Sequence, residues 1–378
     1  MIVIAHHACL PWAGGNWWPV ECEQHTAWLH RFLAVNYIFF MGLFFMISAY
    51  FHPGSIDRHG PFGFVRKRLL RLGIPLVTYL ACIVPLIMYA YYIRFRDHGY
   101  MPFWQYYIEI YWGFNPGPLP GWTGPTEPDR QLLQLWFTEH LLIYGLLYAF
   151  WRLTTKRFKL IKAPPRRSET MFKPLHAHLS ILGYALVLAI AYFIVRIRYP
   201  IYEWVGLFGY VQVEFARLPL YASVFIIGLV AYRRNWLMRL PKNVGYVWAA
   251  IGVALSLAVY TGAMDDCVPF TLGGTSARAL RYAVLEAFLG CSICIGLIVL
   301  FREKFNSPAK KFGRMLSANV YCVYVIHVPL VVIIQHVLIQ STLPGAVLSV
   351  ITILVGIPLT FAVSHCLVRR LPGARAIL

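Results

Sequence analysis

Met41-Gly42-Leu43-Phe44-Phe45-Met46-Ile47-Ser48-Ala49-Tyr50-Phe51 is an apolar run that breaks at Pro53-Gly54, and Arg66-Lys67-Arg68-Leu69-Leu70-Arg71-Leu72-Gly73-Ile74-Pro75 follows it. Arginines therefore stand where the chain re-enters an apolar phase. Arg68 and Arg71 are three apart, so a helix places them on one face. Two uses fit this pattern. Basic residues beside a membrane helix mark its cytoplasmic end, and paired guanidiniums on one face suit a polyanion held against the bilayer.

Composition extends that reading to the whole chain. The 378 residues are 59% apolar and 13% charged, against roughly a quarter charged in a soluble domain. A spanning helix needs about 20 apolar residues. Suitable runs lie near 32–51, 72–93, 131–151, 177–197, 218–232, 245–263, 279–301, 318–340 and 345–366. With the apolar start from Met1 to Trp12 they predict an all-α polytopic membrane protein of about ten transmembrane helices, organised as a single domain over 1–378. Pro11, Gly14 and Gly15 interrupt the first run and no charged segment precedes it, so the first helix is expected to be truncated at Met1.

Charge orients the spans. The segments near 52–71, 152–176, 233–244 and 302–317, with the tail, hold 25 of the 34 Lys and Arg. Ten acidic residues, from Glu21 to Asp266, fall in the alternate loops. The basic set and the C-terminus are expected to face the cytoplasm. A nucleic-acid binder would gather its charge on one soluble face, whereas here it is spread over short loops, and nucleic acid is excluded as a partner. The segment 152–176, with Pro164-Pro165-Arg166-Arg167, reads as a basic linker touching lipid headgroups. The opposite loop, 94–130, is rich in aromatics such as Trp104, Tyr107 and Trp122; it fits an interfacial belt or a platform stacking on sugar rings.

No metal site is expected. Cys291-Ser292-Ile293-Cys294 has a CxxC spacing but sits in an apolar helix without a second pair, which favours packing. Cys22 and Cys267 fall in loops placed outside, where the compartment permits a disulfide. Ionisable residues inside spans are costly and therefore candidates for function. They are His6, His7, Glu139, His140, Glu286, His327, His336 and His365. Each is also compatible with a hydrogen bond between helices.

Several segments in order resemble one family. They are Ile4-Ala5-His6-His7-Ala8, Phe44 to Tyr50, Phe64-x-x-Lys67-Arg68-x-x-Arg71-Leu72-x-x-Pro75, Leu135-Trp136-Phe137 with Leu141-Leu142, and Leu316 to Pro329. Together they make the chain similar to the acyltransferase-3 family of integral membrane acyltransferases. Phe51-His52-Pro53-Gly54-Ser55 and Phe301 to Asn306 resemble its periplasmic-glucan acylating branch. The resemblance implies an O-acyltransferase of a bacterial inner (cell) membrane, moving an acyl group from acyl-CoA to a hydroxyl of a glycan or other acceptor, with no bound cofactor. It puts the catalytic base at His7, or at His6 if the register moves by one. An arginine that the family carries eleven residues earlier would fall before Met1.

The chemistry agrees with these residue types. Attack of a hydroxyl on a thioester requires removal of its proton, which an imidazole can perform near neutral pH. Glu286 is a candidate to orient that imidazole or bind substrate. Arg66, Lys67, Arg68 and Arg71 would bind the donor, since guanidinium forks match phosphate oxygens. A transporter of a lipid-linked glycan or small anion is the alternative. Buried ionisable groups would serve it too, but no inverted repeat is visible.

Overall fold

A computed structural model describes residues 1–14, 17–114, 117, 120–125, 131–157, 171–207, 211–266, 273–307 and 310–378. Its helices are α1 (Ile2–Ala13), α2 (Ala27–Tyr50), α3 (His52–Arg68), α4 (Ile74–Cys82), α5 (Val84–Phe95), α6 (Trp136–Arg157), α7 (Pro174–Arg196), α8 (Leu218–Arg234), α9 (Lys242–Tyr260), α10 (Ala277–Lys304), α11 (Lys311–Leu338) and α12 (Gly345–Cys366). Each expected span is helical, and the all-α polytopic reading holds. Among the described residues, eight helical runs are long and apolar enough to cross a membrane. α1 is too short to be counted with them. α6 opens on Thr138, Glu139 and His140, which dilute its hydropathy. The expected lipid contact of Pro164 and its basic neighbours, and any pairing of Cys267, lie outside the described residues.

Three local expectations need correction. Pro53-Gly54 does not open a loop: α3 starts at His52, because a proline in the first helical turn has no N–H to lose. The kink comes later, at Gly60, whose φ of 68° suits glycine and which precedes Pro61. Arg68 and Arg71 are not three apart on one α-helix. Leu69–Gly73 is a π-helical turn, which winds fewer degrees per residue and carries Arg71 away from the α-helical face of Arg68. Finally, Trp204–Leu207 and Val211–Glu214 form a small antiparallel hairpin between α7 and α8.

The chain divides into two compact units. The first comprises Met1–Leu33, Leu69–Glu139 and Ala309–Leu378. In it α1 packs against α11 and α12, and Gly345 lies so close to Trp12 that a Cβ would come within 2.8 Å of the tryptophan Cβ. The aromatic segment after α5 is folded onto this unit. Tyr106, Tyr111 and Trp122 are buried in its core, while Tyr100, Trp104 and Phe114 stay exposed. The break between α4 and α5 explains the burial. Pro85 has no N–H to offer the Ala81 carbonyl, and Tyr107 Oη donates to that oxygen at 3.0 Å. Tyr111 Oη serves the Leu80 carbonyl at 2.6 Å. Tyr111 is buried and Tyr107 half-buried.

The second unit comprises Ala34–Arg68 and His140–Pro308. α8 ends at Asn235, a left-handed cap whose N–H bonds the Ala231 and Tyr232 carbonyls. α10 begins at Ser276, whose hydroxyl accepts from the Ala279 N–H at 3.1 Å. Cys291 and Cys294 are packed, as their apolar setting suggested; the Cys294 thiol points at the Phe39 carbonyl.

A buried charge network holds this unit together. Glu286 of α10 meets Arg196 Nη2 of α7 at 2.6 Å and Arg217 Nε at 3.5 Å. Glu214, delivered by the hairpin, reaches Arg217 at 3.3 Å and accepts from the Tyr202 N–H at 3.1 Å. Tyr192 and Tyr282 flank the Arg196 guanidinium, and Tyr37 and Tyr202 that of Arg217. Two carboxylates and two guanidiniums balance. Removing one carboxylate would strand a buried positive charge, at a cost of about 3–5 kcal/mol. Glu286→Leu should therefore lower the thermal unfolding midpoint of the detergent-purified protein markedly, and a wild-type midpoint would show that the carboxylate is not structural.

Candidate active site

The first unit brings two histidines together that are 320 residues apart in sequence. His7 Nδ1 on α1 lies 2.8 Å from His327 Nε2 on α11. His327 Nδ1 in turn lies 2.6 Å from the Tyr324 carbonyl. A carbonyl only accepts, so His327 Nδ1 carries a proton, and in the neutral ring its Nε2 holds a lone pair. His7 Nδ1 then donates to that lone pair. The remaining nitrogen of His7, Nε2, is left as the proton acceptor.

Packing fixes the His7 ring as well. Trp18 stacks on it with centroids 5.0 Å apart and planes 15° apart. The Trp18 indole N–H donates to Gln335 Oε1 at 2.7 Å. Gln335, fully buried on α11, donates from Nε2 to the His7 carbonyl at 2.9 Å and the Ala8 carbonyl at 3.3 Å. Pro11 is the reason. In a regular helix the His7 carbonyl would accept from residue 11, which here has no N–H. An acceptor left open in an apolar phase is costly, and Gln335 fills it.

The same device recurs beneath His327. Pro329 frees the Val325 carbonyl of α11, and Gln134 Nε2 donates to it at 2.9 Å. The Tyr79 hydroxyl donates to Gln134 Oε1 at 3.3 Å, and Tyr324 Oη bonds the Gln134 carbonyl. Each imidazole thus sits one proline turn from a backbone oxygen that a buried glutamine closes. His6 differs from its neighbour. It is buried, whereas His7 is half-buried, and its ring meets that of His7 edge-on at 5.6 Å.

A family model described as "Acyltransferase domain" (Acyl_transf_3) matches residues 1–369. The chain belongs to the acyltransferase-3 family. No match was found among curated proteins or solved structures. The protein is thus an acyltransferase of the membrane, and its sequence-expected residues fall in different places. His6 and His7 lie in the first unit. Glu286 lies in the second, paired with Arg196 and Arg217.

The donor-side cations are also divided. Arg68, in the second unit, packs over Phe64 at 5.1 Å and reaches His52 Nδ1 at 3.3 Å. Lys67 Nζ is 2.6 Å from His59 Nε2, and Arg66 is exposed. Arg71, in the first unit, is exposed and stands over the Tyr321 ring at 5.4 Å. Among the described residues no group of three or more His, Cys, Asp and Glu gathers as a metal site would.

Sequence reasoning passed over Trp18 and Gln335 and gave His327 no role beside His7. The signal was present. Gln335 is an uncharged polar residue in an apolar span, and a proline four residues after His7 announces an open carbonyl. Gln335→Leu in this acyltransferase should cost about 1–3 kcal/mol for the unsatisfied carbonyl and lower the unfolding midpoint, while Gln335→Asn should do the same because its shorter amide falls short. A leucine variant as stable as the wild type would remove Gln335 from this role.

Proposed function

We propose that the protein moves an acyl group from acyl-CoA to a hydroxyl of a glycan or other acceptor, with His7 as the general base. The observation that carries this reading is the hydrogen-bond chain from the Tyr324 carbonyl through His327 to His7 Nδ1, which leaves a lone pair on His7 Nε2. In the reaction, Nε2 takes the acceptor hydroxyl proton as that oxygen attacks the thioester carbonyl carbon. The tetrahedral intermediate collapses, the C–S bond breaks, and the proton passes from His7 to the departing thiolate. The products are the ester and free CoA thiol. His327 holds the tautomer and accepts a stronger, charge-assisted bond while His7 is protonated, the part a carboxylate takes in a Ser-His-Asp triad.

Arg66, Lys67, Arg68 and Arg71 are assigned to the donor phosphates on their chemistry, and the glycan branch on the resemblance of Phe51 to Ser55 and Phe301 to Asn306. The basic loops and C-terminus are assigned to the cytoplasmic side of a bacterial inner membrane, where CoA thioesters are found. Mass spectrometry of cell-surface glycans with and without the protein identifies the acceptor and the acyl group.

Two kinetic tests separate the roles. His7→Ala should lower turnover, followed as CoA thiol release, by about 10² to 10⁴. His6→Ala should be mild, and His327→Gln should retain more activity than His327→Ala because an amide oxygen can still accept from Nδ1. Wild-type turnover by the His6→Ala, His7→Ala double variant would end the histidine mechanism. On the donor side, Arg68→Ala with Arg71→Ala should raise the KM for acyl-CoA about a hundredfold or more, since each charge-assisted bond is worth roughly 1.5–3 kcal/mol. An unchanged KM in correctly inserted protein would leave both arginines as topology markers.

A further inference from the structure

A general base becomes a cation while it holds the acceptor proton, and around His7 the first unit offers aromatic surface to such a charge. The group at His7 Nδ1 is His327, whose own Nδ1 proton goes to the Tyr324 carbonyl. That neutral imidazole supplies a lone pair but no countercharge. Trp18 covers one face of the His7 ring, with centroids 5.0 Å apart and planes 15° apart. An indole face is the negative side of the ring quadrupole, and a cation within about 6 Å of the ring centre is attracted to it. Trp18 is only 5% exposed, and burial removes the water that would screen the attraction.

Trp18 is held from two directions within this unit. Its indole N–H donates to Gln335 Oε1 on α11 at 2.7 Å. The chain on either side of it is tied to the end of α5. Trp17 meets the Tyr91 ring edge-on at 5.6 Å. Glu21 accepts from the Tyr91 hydroxyl at 2.7 Å and pairs with Arg96 Nη2 at 2.7 Å. Arg96 Nε donates to the same hydroxyl, and its guanidinium lies over the Tyr91 ring at 5.1 Å. An exposed ion pair alone would contribute little, but here carboxylate, phenol and guanidinium close a triangle. A ring placed before the proton arrives costs no reorganisation when the charge forms.

We infer that Trp18 is a positioning residue for the base: its ring face stabilises the His7 imidazolium as Nε2 takes the acceptor proton, with Gln335 on one side and Tyr91, Glu21 and Arg96 on the other holding it in place. The inference rests on the reading of His7 as general base. Packing alone would require only bulk beside His7, whereas stabilising a cation requires electron density in the ring. Fluorine on the indole separates the two. It withdraws density from the face, changes the size of the ring little and makes the N–H a stronger donor to Gln335. The neutral His7 of the resting protein is nearly indifferent to that change and the imidazolium is not, so the effect falls on turnover and not on donor binding.

The test uses the full chain in membranes of the producing cells, which supply the acceptor, with the acyl-CoA that the wild type turns over fastest as donor and CoA thiol release as the readout. Mono-, di- and trifluorotryptophan placed at position 18 through an amber codon should lower turnover stepwise, to about five- to thirtyfold below the wild type at the last step, which is the cation–π range expressed as a rate. The KM for acyl-CoA should not change. The same analogues at Trp28, which is exposed, should leave turnover at the wild-type value. Trp18→Phe, which keeps an aromatic face, should retain more turnover than Trp18→Leu, and this pair carries the test if the analogues are not incorporated. Wild-type turnover across the fluorinated series overturns the inference, as does an equal loss in the phenylalanine and leucine variants or a loss confined to KM. His7→Ala, run alongside, separates the two readings. Wild-type turnover in that variant ends the histidine mechanism and this inference with it, whereas an inactive His7→Ala beside a flat fluorinated series removes only the role of Trp18.

Discussion

Lipid offers no water to a backbone carbonyl, and the first unit depends on how it answers that constraint. Prolines at 11, 85 and 329 each remove one intrahelical donor, leaving the carbonyls of His7, Ala81 and Val325 open. Side chains from distant parts of the chain close all three: Gln335, Tyr107 and Gln134. Each such bond ties one helix to another segment, so a local defect becomes a long-range tether. Two of the three tethers flank the imidazole pair. The backbone that carries His7 is fixed to α11 by the glutamine that also receives the Trp18 indole, and the turn below His327 is fixed by Gln134. An imidazole that must stay within hydrogen-bond reach of another is held by groups whose first duty is to satisfy backbone.

The second unit meets the membrane with charge instead of amides. Four ionised groups are buried together, and their mutual pairing, with tyrosine rings against both guanidiniums, offsets desolvation that none would survive alone. This balance explains why a carboxylate can persist at Glu286 in an apolar helix. His7 presents the opposite case. A neutral imidazole needs no countercharge, so it can remain half-buried with one nitrogen committed to His327 and the other available.

Much of the architecture was legible because apolar runs of spanning length and alternating basic loops are one-dimensional signals. The helices over 177–197, 218–232 and 279–301 needed no partner to be recognised. Pairings were another matter. Nothing local in Ile4 to Ala8 points to residue 327, and the role of Gln335 is visible only once α1 and α11 lie side by side. Trp204–Leu207 is four residues long, too short for its alternation to register. Pro53 misled for a physical reason: the same missing N–H that ends one helix is tolerated in the first turn of the next, and the sequence does not distinguish the two without knowing where α3 begins.

The π-helical turn at Leu69–Gly73 shows how backbone detail changes the meaning of a motif. On a continuous α-helix Arg68 and Arg71 would present one face, and their spacing alone would argue for joint contact with phosphate. The wider turn sends Arg68 to Phe64 and His52 and Arg71 to Tyr321. Aromatic faces stabilise a guanidinium by cation–π attraction while leaving its N–H edges free to donate. Each arginine is therefore packed against its own ring, and the spacing of the motif does not by itself make the two side chains a single clamp.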